Sequence, residues 1–430
     1  MGEDEALMTA QAPVDPRAPV GDVSPVLAAA RAQLGGLPKA AIFHDLDRLE
    51  ARYADLCAAF PPDTLHAVAI KANPVVALLE VLVDAGAGLE AASWEEVQLA
   101  LAAGCPSERV VFDSPAKTDA ELAASLELGL WLNVDHPDEL RRIEALLAER
   151  PPTRARVGLR VNPQLGSGAI EFTSTISKAS KFGVPLTDAP ALVRRFPFIT
   201  GLHVHTGSQG VGLPLLQAAA RATAEVAEAL ALDWLDVGGG VPVRYTDADP
   251  EPPSYADWGR ALADIPGWGQ RRLVTEVGRS IHAGCGWAVS TVEAVKDVDG
   301  KPTLIIHLGA DFLMRRVYRP QDWDHEFIVL DPEGRPRAHG EGARESQIAG
   351  PLCFSGDMLS RGRSLPPAAR GDWLLVRDCG AYTLGMWSRH CSRGLPPTYG
   401  YRRFEKEPHI EMLHPGERPE DVVAFWTGSS

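Results

Sequence analysis

The sequence predicts an α/β chain, a (β/α)8 TIM-like barrel followed by a C-terminal β domain of sandwich or barrel form. Three observations carry this expectation. Short apolar runs alternate with Ala/Leu/Glu-rich helical stretches from residue 46 to 283, and strand–helix alternation implies parallel strands. About eight such runs fall within roughly 240 residues, the number and length that close a barrel, with a doubly wound open sheet as the competing architecture. From residue 284 to 430 the helical stretches thin out, and Val/Ile/Trp-rich segments split by Gly, Pro and Asp take their place, which reads as hairpins.

In chain order, MGEDEALMTAQAPVDPRAPVGD is acidic and Pro/Ala-rich, without the basic start and apolar stretch of a signal peptide. Residues 1–25 are expected to form a flexible leader. Residues 26–45 are expected to pack with the β domain. Then LHAVAIKAN precedes PVVALLEVLVDAG, AGLEAAS precedes WEEVQLALAAG, and RVVFDSP precedes KTDAELAASLELG. LWLNVD precedes HPDELRRIEALLAER, and ARVGLRVNP, ITGLHVHTGS, LDWLDVGGG and RRLVTEVGRS continue the series. VSTVEAVKDVDGKPTLIIHLG, FIVLDPEG and GDWLLVRDCGAYTL supply the later strands.

The totals exclude several classes. A formal net charge of −15 argues against a nucleic-acid partner or an anionic membrane surface. No apolar run approaches the roughly 18 residues of a membrane span. Six cysteines are scattered with no C-x-x-C pair, which suits free thiols in a reducing cytoplasm and no structural zinc. The expectation is a cytoplasmic enzyme with no metal.

Barrel chemistry sits at the carboxyl ends of the strands, and six runs end in polar or glycine-rich motifs. Lys71 closes AVAIK, where an ammonium is costly to bury. Glu90 and Ser93 follow another run, Arg160-Val161-Asn162-Pro163 a third, and His203 to Ser208 a fourth. Asp236 to Gly240 and Glu276 to Arg279 complete the set. Singly, each has an ordinary explanation: a rim lysine, a tight glycine turn, an internal Glu–Arg pair. His203 and His205 share a strand face, but no third ligand follows at zinc-like spacing. Together they describe one ligand. Lysine forms an imine, a glycine nest and an arginine hold a phosphate, an acid holds a ring nitrogen, and an imidazole stacks on a flat ring. That ligand is pyridoxal 5′-phosphate (PLP).

The stretches AVAIKANP, GAGLEAASWEEV, LRVNP, SKFG, GLHVHTGSQ, LDVGGGVP, TEVGRS, GPLCFSGD and GAYTLGMWS, in this order across roughly residues 40 to 400, carry a family likeness. The chain resembles the fold-type III PLP-dependent decarboxylases, the alanine racemase-like barrels that include diaminopimelate and ornithine decarboxylases. The resemblance implies that Lys71 is the Schiff-base lysine and that His205 stacks on the cofactor ring. Ser208, Gly238, Gly239, Gly240, Arg279 and Tyr382 would surround the phosphate. Glu276 would bond the ring nitrogen, Arg160 would support the site from behind, and Glu90 and Gly278 would also line the cofactor. Cys353 would be the proton donor, reaching into the partner's barrel in a head-to-tail homodimer. Lys71, Cys353 and His205 are thus the catalytic set, and Lys181 and Asp357 would pair between subunits.

The family pattern breaks at the substrate end. Phe354 stands where diaminopimelate and ornithine enzymes carry an acid that meets the substrate's distal amine, and His390-Cys391 replaces an aromatic-Asn pair. Arg315, Arg316, Arg389 and Arg393 gather in the same motifs. Substrate contacts are therefore expected from Arg315, Phe354, Asp357 and Arg389. The expected reaction is α-decarboxylation of an L-amino acid or amino-acid conjugate. A citrate-conjugated precursor of the kind met in siderophore biosynthesis, or of another specialised metabolite, fits the arginines. The alternatives are diaminopimelate decarboxylation in lysine biosynthesis and ornithine or lysine decarboxylation. An amino-acid racemase and a non-catalytic PLP-binding homologue rank below, because GPLCFSGD belongs to the decarboxylase branch and no cofactor contact is lost.

Overall fold

The computed structural model describes residues 21–149, 153–340, 342–403 and 407–428. Most of the leader expected over residues 1–25 lies outside the described residues. Eight parallel strands, Leu65–Ala69, Gly88–Ala91, Val110–Asp113, Trp131–Val134, Arg156–Asn162, Ile199–His203, Trp234–Asp236 and Arg272–Thr275, pair in one cylinder. Closure decides against the open sheet. Arg272–Thr275 pairs with Leu65–Ala69, and Trp131–Val134 pairs with Arg156–Asn162. The strands are buried on both faces, so they read as continuous apolar runs rather than alternating ones.

The barrel's amino end is filled by Leu65, Ala67, Val111, Trp131, Trp234 and Val274. Trp131 meets Trp234 edge-on at 5.0 Å. Two strand glycines exist for this indole. A Cβ on Gly158 would lie 2.3 Å from the Trp234 ring and one on Gly201 would lie 2.1 Å away. Gly201→Ala is therefore expected to cost about 1–3 kcal/mol through overpacking, seen as a lower urea midpoint with an unchanged slope.

The second sheet is mainly antiparallel and draws on both ends of the chain. Strand Ala40–Asp45 pairs antiparallel with Gly286–Val298 and parallel with Thr398–Arg403. Helix Ser24–Leu34 starts at Pro25, ends on Gly35 in the left-handed region, and buries Val26, Leu27, Ala29 and Ala30. They join a cluster with Phe43, Trp287, Tyr399 and Tyr401, in which Phe43 stacks on Trp287 at 4.4 Å. Residues 24–45 thus lie with the second sheet, ahead of the barrel in sequence, and Asp45 caps the first barrel helix, Leu46–Ala58. Among the described residues, no helix is long and apolar enough to cross a membrane.

Candidate active site

Lys71 does not lie on a strand. The strand ends at Ala69, and Ile70–Ala72 forms a single 3-10 turn. That turn is gripped from the second sheet. The Tyr382 amide donates to the Ala72 carbonyl at 2.8 Å, and Asn73 Nδ2 donates to the Gly380 carbonyl at 2.9 Å. The Lys71 ammonium donates to the carboxylate of fully buried Glu90. Burial alone would lower the lysine's pKa, but Glu90, Tyr382 and Glu276 outweigh it and hold the ammonium charged. Burial pushes Glu90 up to about 8, against the pull of Lys71. The cost of a lysine at this position is met by a partner from the neighbouring strand end.

The floor of the site is a charge network. Glu276 Oε2 lies 3.2 Å from His203 Nε2 and 3.4 Å from His205 Nδ1. The carboxylate that spacing along the chain did not offer to the two histidines is Glu276, delivered by the fold. One ligand atom of each lies within 4.8 Å of the others, and the contacts among the three account for that closeness. On the far side, His203 Nδ1 lies 3.8 Å from Asp113, which takes a 2.7 Å hydrogen bond from Arg160 Nη1. Burial works against a charged His203, yet Glu276, Asp113 and Asp236 push it up to about 9. Burial holds His205 below its ordinary value, only partly offset by Glu276. Burial also opposes ionisation of Glu276, but the two histidines hold it well below the usual carboxylate range. Asn133, between Asp236 at 3.4 Å and Glu276 at 3.5 Å, completes the floor. Sequence reasoning assigned no role to His203, Asp113 or Asn133. The signal was present: Asp113 and Asn133 also end apolar runs, RVVFDSP and LWLNVD.

At the other end lies a glycine cradle. Gly238 and Gly240 take φ of 63° and 122°, values that favour glycine. A Cβ on Gly239 would sit 2.1 Å from the Glu276 carbonyl. The Asp236 carboxylate accepts from the Gly238 amide at 2.8 Å and fixes the turn. Arg279 donates to Ser208 Oγ at 2.9 Å and to the Tyr245 hydroxyl at 2.7 Å, and it stacks on Trp323 and Tyr382. Lys71, His205, Ser208, Gly240, Glu276, Gly278, Arg279 and Tyr382 line one narrow pocket. This donor set fits PLP: a glycine turn with arginine and hydroxyl for the phosphate, an ionised buried acid for a ring N–H, an imidazole face, and a lysine. Glu90 Oε1, buried with no hydrogen-bond partner, leaves an acceptor free beside that lysine.

The substrate-end residues divide. Cys353 is exposed and its amide donates to Cys391 Sγ at 3.4 Å; it does not line this chain's own pocket. Phe354 stacks between Tyr318 at 6.2 Å and His390 at 5.3 Å. Asp357 is buried and accepts from the amides of Ala310 and Leu352, both at 2.7 Å. Within this chain it braces a loop, and Lys181 lies over the Phe182 ring. Arg389 is held by both oxygens of Glu417, which corrects its expected role as a free anion binder. Arg393 pairs with Asp311 and Arg316 with Asp324. Arg315 differs. Among the described residues it has no acid partner; it stacks on Tyr382 at 4.3 Å and Trp323 at 4.7 Å. Burial and the neighbouring Arg279 pull it down to about 10, and its buried Nη1 has no hydrogen-bond partner.

Known proteins share this architecture. Residues 46–283 match the family described as pyridoxal-dependent decarboxylase, pyridoxal binding domain. The chain is 34% identical over 389 residues to diaminopimelate decarboxylase of Pseudomonas aeruginosa, covering 88% of this chain and 89% of that one. It is 32% identical over 346 residues to the Zymomonas mobilis enzyme of the same name, covering 77% and 79%. The crystal structure of Helicobacter pylori diaminopimelate decarboxylase complexed with L-lysine superposes with a TM-score of 0.82 at 25% identity, covering 93% of this chain and all of that one. The chain therefore belongs to the pyridoxal-dependent decarboxylases, carboxy-lyases that use PLP to act on amino acids.

Proposed function

We propose that this enzyme removes an α-carboxyl group, as CO₂, from an amino acid whose far end carries a second carboxylate. The observation that supports it is Arg315, which lacks an acid partner among the described residues while Arg316, Arg389 and Arg393 are each engaged. Arg279 and Arg315 lie over the same two rings, Trp323 and Tyr382, so Arg315 is a second guanidinium beside the one proposed to hold the phosphate. meso-Diaminopimelate meets that description, and the curated relatives are named for it.

A second reading rests on Phe354. A distal ammonium facing a phenyl ring forfeits a charge-assisted bond worth about 1.5–3 kcal/mol, or about one to two decades of affinity. Cation–π attraction recovers only part. An amino acid whose distal nitrogen is acylated, such as a citrate conjugate, avoids the loss and keeps the far carboxylate.

When bound, PLP supplies the electron sink that takes up the pair left by CO₂. In the proposed division of labour, Lys71 carries the cofactor and Glu90, hydrogen-bonded to Nζ, holds the lysine in place beside it. Glu276 holds the ring N–H, and His203 keeps Glu276 ionised. His205 packs on the ring. Cys353, on the surface of its own chain, protonates the product carbon in the partner's site of a homodimer.

Two measurements test this. The first is kcat/KM over meso-diaminopimelate, a citryl-diaminopropionate-type conjugate, L-lysine and L-ornithine. A value for diaminopimelate of about 10⁴ M⁻¹s⁻¹ or more selects the first reading and makes Phe354 a bystander. Turnover of the conjugate alone in that range selects the second. Lysine or ornithine above both overturns the proposal. The second mixes Cys353→Ala and Lys71→Ala proteins, each inactive alone. Random exchange in a symmetric dimer is expected to restore about a quarter of wild-type activity. No recovery despite demonstrated exchange would place both residues in one chain's site.

A further inference from the structure

A second cavity lies apart from the catalytic pocket. A space of about 510 Å³ opens between the 242–254 loop of the barrel, the Ser280–Cys285 turn, and Asp324, Glu326, Arg363 and Asp378 of the second sheet. Its charged side chains are mostly matched. Arg244 pairs with Asp247 and Glu251, Arg363 with Asp324, and Arg52 donates twice to the Ser280 carbonyl.

Asp378 is the exception. It has no ion-pair or hydrogen-bond partner for its carboxylate among the described residues, although it is held in the left-handed region at φ 56°. The charged groups around it are Arg377, Arg48 and Glu326, with the buried thiols of Cys285 and Cys379 beside them. Arg377 is taken by Glu326 at 2.8 Å and Arg48 by the Gly284 carbonyl at 2.9 Å. Gly284 stands between Asp378 and Arg48 without a side chain. A Cβ on Gly284 would lie 3.6 Å from Asp378 Oδ1 and 4.0 Å from Arg48 Nη1. Burial pushes Asp378 up to about 7, the behaviour of an acid that lacks its cation.

We infer that this cavity binds a small molecule bearing a primary ammonium, with Asp378 as its counter-ion over the bare Gly284 floor. Amino acids and amines are what a decarboxylase consumes and makes, so its own substrate or product class is the chemistry at hand. The cavity wall is also shared with the cofactor cradle. Tyr245 lines it and receives Arg279, and Ser280 follows Arg279 in the chain. An occupant therefore bears on the group proposed to hold the phosphate.

The test uses holoenzyme reduced with borohydride, so that PLP stays fixed in the catalytic pocket, and titrates cadaverine and L-lysine calorimetrically. At least one is expected to bind, about ten- to a hundredfold more weakly to Asp378→Asn, the loss that follows removal of one charge-assisted contact. Asn tolerates the left-handed backbone, so this variant keeps the fold. Gly284→Val, whose side chain would occupy the gap between Asp378 and Arg48, is expected to abolish binding. In the unmodified chain, affinity is expected to rise as pH passes upward through about 7, because the ionised carboxylate is the binding form. Absence of binding by both probes up to millimolar concentration overturns the inference. So does binding that is unaltered in both variants, or an affinity that is flat with pH.

Discussion

Lys71→Ala is expected to leave no covalently held PLP after borohydride reduction, by mass spectrometry, and to lower CO₂ release by at least about three decades, the scale of losing a positioned proton-transfer group. The variant should still fold. Glu90 loses its cation, but its pKa already stands near 8, so it goes neutral at pH 7 instead of remaining a buried charge. A Lys71→Ala protein that keeps the cofactor covalently attached would contradict the assignment.

Acid is expected to be the second large perturbation. Burial lowers four histidines: His44 to about 3, and His66, His282 and His325 each to about 4. They stay neutral in the folded chain while the unfolded chain protonates them below about 6.5. Their contribution is complete above pH 6.5 and is lost as pH falls toward 4. Glu90 and Asp378, pushed up to about 8 and about 7, work the other way over the same window. His203, pushed up to about 9, has delivered its full contribution below pH 6.5 and adds no slope. Each histidine proton left unopposed costs about 1.4 kcal/mol per pH unit as pH falls below 6.5, against about 5–15 kcal/mol of stability in an ordinary domain. Urea midpoints at the two pH values check it; equal midpoints would mean these histidines are not buried neutral.

Much of this was legible in the sequence because barrel geometry puts the ends of buried strands together. Apolar runs such as HAVAIK, stopping at a charged or glycine residue, mark the pocket before any pairing is known, and Lys71, His205, Gly240, Glu276 and Arg279 do converge on one pocket. What was not legible depends on partners distant in the chain. Asp113 and Asn133 meet His203 and Glu276 only when the barrel closes. Arg389 looks free until Glu417 folds back onto it. Asp357 looks like a site residue until the amides of Ala310 and Leu352 are seen to occupy it. Composition near a motif gives the charges present; only the fold assigns their counter-charges, and that left Arg315 as the odd arginine.

The proposed recognition of a far-end carboxylate is tested most directly by Arg315→Gln. The measurement is the ratio of kcat/KM for the better of meso-diaminopimelate and the citryl conjugate to kcat/KM for L-lysine, in wild type and variant. The account predicts a wild-type ratio that falls by about one to two decades in Arg315→Gln, the loss of one charged hydrogen bond, with PLP still bound. A ratio unchanged by the substitution would contradict it.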